Sequence, residues 1–367
     1  MRRGLMTFGL LVLTGLCVRA GLGQVAVAVP VEAAPDAGVM TLHAYTDLVQ
    51  IPVLVLDTRR QRLPRVDPGL FRMTLNSGPL FQPTHVRVEG DDPITLAILV
   101  DGDAQKNDLL RGVADGVASL VGGSPQRGVP GVGSLLPQDH LLFYVMDCGR
   151  IRSLVSLPEG EGALGPALAA LEVHHPAGGG GRADTMACMA PSRLWDAMAL
   201  VTKELSVLPG RRVLLAITEG HDGGSATGWS ALKSYAMHEG IAIFSLSHPD
   251  MQERTVHLIE PEDHMTSVCE FSGGIRLWST SRDLSKSLGE FLRLVRERYI
   301  IDFPRPAKAK AGVLSVRVSL LKRDAFIRPS GVTFELPDPK LLTDPTTVPS
   351  DPSRGPTIGT RRPLKVR

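Results

Sequence analysis

Residues 94–105 read Ile-Thr-Leu-Ala-Ile-Leu-Val-Asp-Gly-Asp-Ala-Gln. From Ile94 to Val100 only Thr95 is polar. A strand with one wet face alternates apolar and polar residues. A strand apolar at almost every position is covered on both faces, as in a parallel sheet lined by helices. The run ends abruptly at Asp101-Gly102-Asp103, a polar turn at the carboxyl end of the strand. After it, Leu109, Leu110, Val113, Val117, Leu120 and Val121 recur three and four apart, which predicts a helix. Gly112 and Gly116 are expected to weaken that helix by up to about 1 kcal/mol each where solvent-exposed.

The same alternation continues downstream. Leu141 to Met146 and Ile151 to Leu157 read as further strands, and a strong helix is predicted from Pro191 to Leu208 with Pro191 in its first turn. Val213 to Ile217 is a buried strand, Trp229 to Glu239 a helix stopped by Gly240, and Ile241 to Leu246 another strand. Ile275 to Trp278 is short and β-like, and Leu284 to Arg298 is helical. Strands and helices in alternation predict an α/β fold, a doubly wound and mostly parallel sheet.

Working outward, both flanks turn β-like. Val49, Ile51, Val53 and Val55 lie two apart while Leu54 and Leu56 fill the opposite face, so this strand too is covered on both sides. Leu314, Val316, Val318 and Leu320 repeat the period of two, as do Val332, Phe334 and Leu336. The α/β part, residues 92–300, is therefore expected to be inserted in a small β-sandwich formed by flanks 42–91 and 301–336. Residues 337–367, rich in Pro, Thr, Arg and Lys, are expected to be disordered.

Arg2 and Arg3, the apolar stretch Leu5 to Val18, and the small residues Ala20, Gly21 and Gly23 have the order of a secretory signal peptide. The expectation is a leader at residues 1–24 and an extended segment at 25–41, with the protein secreted or periplasmic. Past that leader Cys148, Cys188 and Cys269 remain, enough for one disulfide and one free thiol, with the pair left open. A net charge of +2 and 5% aromatic residues argue against nucleic acid as a partner.

In an open parallel sheet, ligands bind beyond the carboxyl ends of the strands. Three loops belong there: Asp101-Gly102-Asp103-Ala104-Gln105, Ala190-Pro191-Ser192 and Thr218-Glu219-Gly220-His221-Asp222. Their order, with Ser192-Arg193-Leu194-Trp195-Asp196-Ala197 and Leu215-Ala216-Ile217-Thr218-Glu219-Gly220, resembles the von Willebrand factor A (VWA) domain family, whose strand ends form a metal-ion-dependent adhesion site. The β flanks look like the VWA-related secreted proteins of the acidobacterial type. The resemblance covers residues 42–336 and implies a non-enzymatic protein-binding or adhesion module. Asp101 matches the first motif. Asp103 and Gln105 stand where the family has serines, Ser192 where it has threonine, and Glu219 where it has aspartate.

The resemblance implies that Asp101, Asp103, Ser192 and Glu219 lie together. Three carboxylates so placed repel one another unless a cation intervenes. Oxygen donors of this kind suit magnesium, calcium or manganese. Gln105, His221 and Asp222 form the rim expected to touch a protein or surface partner, through an exposed carboxylate of that partner. The alternative is a metal-free VWA-like scaffold in an envelope assembly, with the carboxylates facing water or capping helix starts. A secreted hydrolase is disfavoured. Gly224-Ser225-Ala226-Thr227-Gly228 lacks the Gly-x-Ser-x-Gly spacing, and adjacent His221-Asp222 cannot orient an imidazole as a triad does. His174 and His175 lack zinc-site spacing to the cysteines, and Gly178 to Gly181 does not end in Gly-Lys-Ser/Thr.

Overall fold

A computed structural model describes residues 43–44, 48–102, 109–121, 134–147, 149–157, 165–166, 191–249, 263–306, 312–313, 315–330, 333–334, 347–348 and 355–359. The expected leader, the extended segment, Cys148 and Cys188 lie outside these residues, as do Asp103, Gln105, His174, His175 and the glycine run.

In chain order the strands are β1 (His43–Ala44), β2 (Leu48–Leu56), β3 (Phe71–Leu75), β4 (His85–Val88), β5 (Ile94–Asp101), β6 (His140–Asp147), β7 (Arg150–Leu157) and β8 (Arg211–Ile217). They continue as β9 (Ala242–Ser247), β10 (Arg276–Trp278), β11 (Tyr299–Pro304), β12 (Gly312–Val313), β13 (Val316–Leu320), β14 (Phe326–Pro329), β15 (Thr333–Phe334) and β16 (Thr347–Val348). The longer helices are α1 (Leu110–Val121), α2 (Leu194–Ser206), α3 (Trp229–Glu239), α4 (His264–Ser272) and α5 (Leu284–Arg296).

Six strands form the central sheet in the order β10-β9-β8-β5-β6-β7. All neighbours run parallel except β7, which returns antiparallel from β6. That exception follows from length, since the tight turn after Asp147 cannot carry a crossover. Along this sheet the chain runs third, second, first, fourth, fifth, sixth. The strand order therefore reverses between β5 and β8.

Alternation within each strand sorts its residues into two cores. Leu96, Ile98, Val100, Val213, Leu215 and Ile217 face α1 and α5, while Ala97, Leu99, Leu214 and Ala216 face α2, α3 and α4. The helices thus cover both faces, as the doubly wound reading requires.

The flanks close into a sandwich. Its larger sheet has the order β14-β2-β11-β4 and its smaller one is the antiparallel pair β3 and β13. Phe71, Met73 and Leu75 point inward against Ile51, Val53, Ile301 and Phe303. β2 serves both units: Ile51, Val53 and Val55 fill the sandwich core, and Leu54 and Leu56 join the α/β core. Its double-faced hydrophobicity has that cause.

Several expectations change. Pro191 and Ser192 precede α2, which begins at Leu194, so Pro191 is outside the first turn. Gly112 and Gly116 are not solvent-facing weaknesses. A Cβ on Gly112 would lie 2.5 Å from the Ser281 carbonyl oxygen, and one on Gly116 would lie 2.7 Å from Leu288 Cδ1. Both glycines let α1 approach the start of α5. Of residues 337–367, those at 347–348 and 355–359 are described: Ile358 packs on the sandwich core and Gly359 N–H donates to the Leu75 carbonyl. α4, β4 and β14 carry no matching expectation. Helix α4 does have a local signature, with Asp263 accepting from Thr266 N–H as its N-cap and Met265, Val268 and Cys269 on one buried face.

Candidate functional site at the switch point

Because β5 and β8 pair with Val100 opposite Ile217, the residues that follow each strand emerge side by side. This is the switch point of the sheet, where two connections leave in opposite directions and open a crevice. Asp101 is 2% exposed there, and its Oδ2 accepts a hydrogen bond from the Thr218 hydroxyl at 2.6 Å. Thr218 Oγ1 in turn accepts from Gly220 N–H at 3.0 Å. Gly220 has φ +86°, which a side chain would strain, so the turn after Glu219 requires glycine.

The Asp222 loop and the start of α2 cap each other. Asp222 Oδ1 accepts from Trp195 N–H at 3.2 Å and Ser225 Oγ accepts from Asp196 N–H at 3.1 Å. In return, Asp196 accepts from Thr227 N–H at 2.8 Å and Ala226 N–H at 3.0 Å. Burial opposes ionisation of Asp196, but these two donors, with the Thr227 side chain and the Arg193 charge, outweigh it and hold the carboxyl below the ordinary range. The α2 N-terminus thus obtains its caps from a distant loop, since Arg193 at the N-cap offers none.

Behind the Thr218–Gly220 turn lies Arg276, whose side chain is 4% exposed. Its Nε donates to Ser247 Oγ at 3.0 Å, Nη1 to Asp263 Oδ2 at 2.7 Å and Nη2 to the Glu219 carbonyl at 3.1 Å. Ser247 Oγ donates onward to the Thr218 carbonyl at 2.7 Å. Burial pushes the Asp263 carboxyl up, yet the Arg276 charge and the Thr266 donors prevail and hold it below its usual range.

Of the residues expected at the site, Asp101 and Glu219 sit at adjoining strand ends. Ser192 reaches the same edge through a 3.3 Å hydrogen bond from its hydroxyl to the His221 carbonyl. His221 is exposed on the rim. Asp222 is engaged in capping the start of α2. Asp103 and Gln105 lie outside the described residues. Among the described residues no partner hydrogen-bonds the Glu219 carboxylate. Asp101, Ser192, Thr218 and Glu219 are oxygen donors only, which fits a hard divalent cation in kind. No group of three or more His, Cys, Asp or Glu among the described residues converges to hold one, so Asp103 would have to complete the set.

Sequence reading missed Arg276, Asp263 and Ser247. The available signal was an arginine inside the apolar run Ile275-Arg276-Leu277-Trp278, where a buried cation demands partners.

No protein-family model matches the chain, and no curated protein matches it in sequence. Solved structures with similar folds include proximal thread matrix protein 1 of the mussel byssus, with a zinc-occupied MIDAS motif, at 13% identity and TM-score 0.37 over 57% of this chain and 49% of that one. The VWA domain of SpRpn10 is similar at 11% identity and TM-score 0.31, over 52% of this chain and 92% of that one. Manganese-loaded TRAP of Plasmodium vivax is similar at 10% identity and TM-score 0.32, over 64% of this chain and 80% of that one. The chain spans about half the length of the mussel protein. At such identities and scores these likenesses add nothing to the functional reading.

Proposed function

We propose that this chain is an exported, non-enzymatic recognition module of the VWA type, which engages a protein or surface partner at the switch-point edge of its central sheet. The observation carrying this reading is the junction of β5 and β8. There a buried carboxylate, Asp101, is tied to Thr218, and the neighbouring Glu219 carboxylate has no described partner of its own. Asp101, Asp103, Ser192 and Glu219 would hold a magnesium, calcium or manganese ion. Such an ion supplies a Lewis-acidic position for an exposed carboxylate of the partner. Asp222 and Asp196 keep the rim loop and the start of α2 in fixed relation.

Thermal unfolding in chelator and in each of the three ions tests the reading. An ion bound only by the folded state adds about 2.7 kcal/mol at a hundredfold excess over its dissociation constant. The expected result is a rise in melting temperature that is lost in Asp101→Ala and Glu219→Ala. Absence of any ion effect in a folded sample would favour the metal-free scaffold, whose partner binding survives chelator.

A further inference from the structure

We infer that Arg276 is the positioning residue of this edge: its buried guanidinium fixes the backbone of Thr218 and Glu219 and so sets where the Glu219 carboxylate stands. The inference rests on reading the edge as a recognition site. Three consecutive residues are pinned at once. The Glu219 carbonyl is held directly by Arg276, the Thr218 carbonyl is held through Ser247, and Gly220 N–H is held by Thr218 Oγ1. Of Glu219 itself only the carbonyl is engaged, and among the described residues its carboxylate has no hydrogen-bond partner.

Only an arginine fits this role. Its planar fork reaches three acceptors on three different elements: Ser247 ending β9, Asp263 capping α4, and the turn after β8. The guanidinium also packs 4.5 Å from the centroid of the Trp278 ring, which restrains it from the fourth side. A lysine would keep the charge beside Asp263, but its three donors radiate from one point and do not reproduce the fixed fork that spans Ser247, Asp263 and the Glu219 carbonyl.

The test compares the wild-type chain with Arg276→Lys and Asp263→Asn, using amide hydrogen exchange and manganese titration followed by melting temperature. In Arg276→Lys, exchange at Gly220 should quicken about tenfold or more while Leu214 and Ala216 in β8 keep their protection. Manganese affinity should weaken by a similar factor. Asp263→Asn, which leaves all three arginine donors in place, should move both readouts the same way and less, and it decides the matter if the lysine variant does not fold. Wild-type rates at Gly220 in the variants, or a uniform loss of protection through β8, β9 and β10, would overturn the assignment. A wild-type chain indifferent to manganese would defeat the ion reading alone, and the exchange result would still judge Arg276.

Discussion

Replacing Glu89 by alanine should cost the fold about 3–5 kcal/mol, because it strands a buried charge. The chain enters the α/β unit just after β4 and leaves it just before β11, and Glu89 and Arg298 stand at those two crossings. Their side chains are 0% and 1% exposed. The pair is bidentate, with Arg298 Nε donating to Oε2 at 2.8 Å and Nη2 to Oε1 at 2.9 Å. Without Glu89 the guanidinium keeps, among the described residues, a single 3.3 Å bond to the Val295 carbonyl, with its side chain 1% exposed. For a folded unit of this size each kcal/mol moves the melting temperature by about 2–4 °C, so a fall of about 6–20 °C is expected. Calorimetry or denaturant melts measure it directly. The exposed pair Arg87 with Asp92 is the control, and breaking it should cost about 0–1 kcal/mol. Removing both buried partners together, as Glu89→Met with Arg298→Met, should recover most of the loss, since two apolar groups need no compensation. A single variant within about 1 kcal/mol of wild type, or a double variant no better than the single, would refute the reasoning.

Gly112→Ala should destabilise by about 1–3 kcal/mol although alanine is the better helix former, because the added methyl meets the Ser281 carbonyl; denaturant midpoints would show the sign. Cys269 is a free, buried thiol, and burial pushes it up to about 12, so it should resist alkylation at pH 8 until the protein unfolds. Asp302 is buried, its Oδ1 without a partner among the described residues, and burial raises its pKa against the pull of Arg87, His85 and Arg211 and a hydrogen bond from Gln50. Its ionised form therefore costs stability above its folded pKa, and the cost fades as pH falls toward the unfolded value of about 3.9. Asp302→Asn should accordingly stabilise at pH 7 and lose that advantage near pH 4, as melts across pH would reveal.

The site was legible only in part, for reasons visible in particular residues. Asp101 and Glu219 stood out because each follows an apolar run, where a chain leaving a buried strand must turn polar. Ser192 carries a motif in the sequence, but its place before α2 depends on caps that come from Asp222 and Ser225 in a distant loop. Arg276 leaves one trace, a cation inside an apolar run, but nothing in the sequence points to Asp263 as its partner, because an ion pair between distant segments leaves no periodic pattern.

Periodicity alone determined the layers of this protein. Residues alternating along β5 and β8 divide between two helix-lined cores, and the crowded pattern of β2 declares a strand wanted on both sides. Hydrophobic burial acts face by face, so the sequence records which way each side chain points. It does not record which strand lies alongside. That β5 adjoins β8, and that Asp101 therefore meets Thr218 from 117 residues away, follows from long-range pairing and the reversal of strand order. The same holds for Arg276 and the Glu219 carbonyl, 57 residues apart. Only the packed tertiary structure brings such groups into a medium dry enough for their hydrogen bonds to fix a loop.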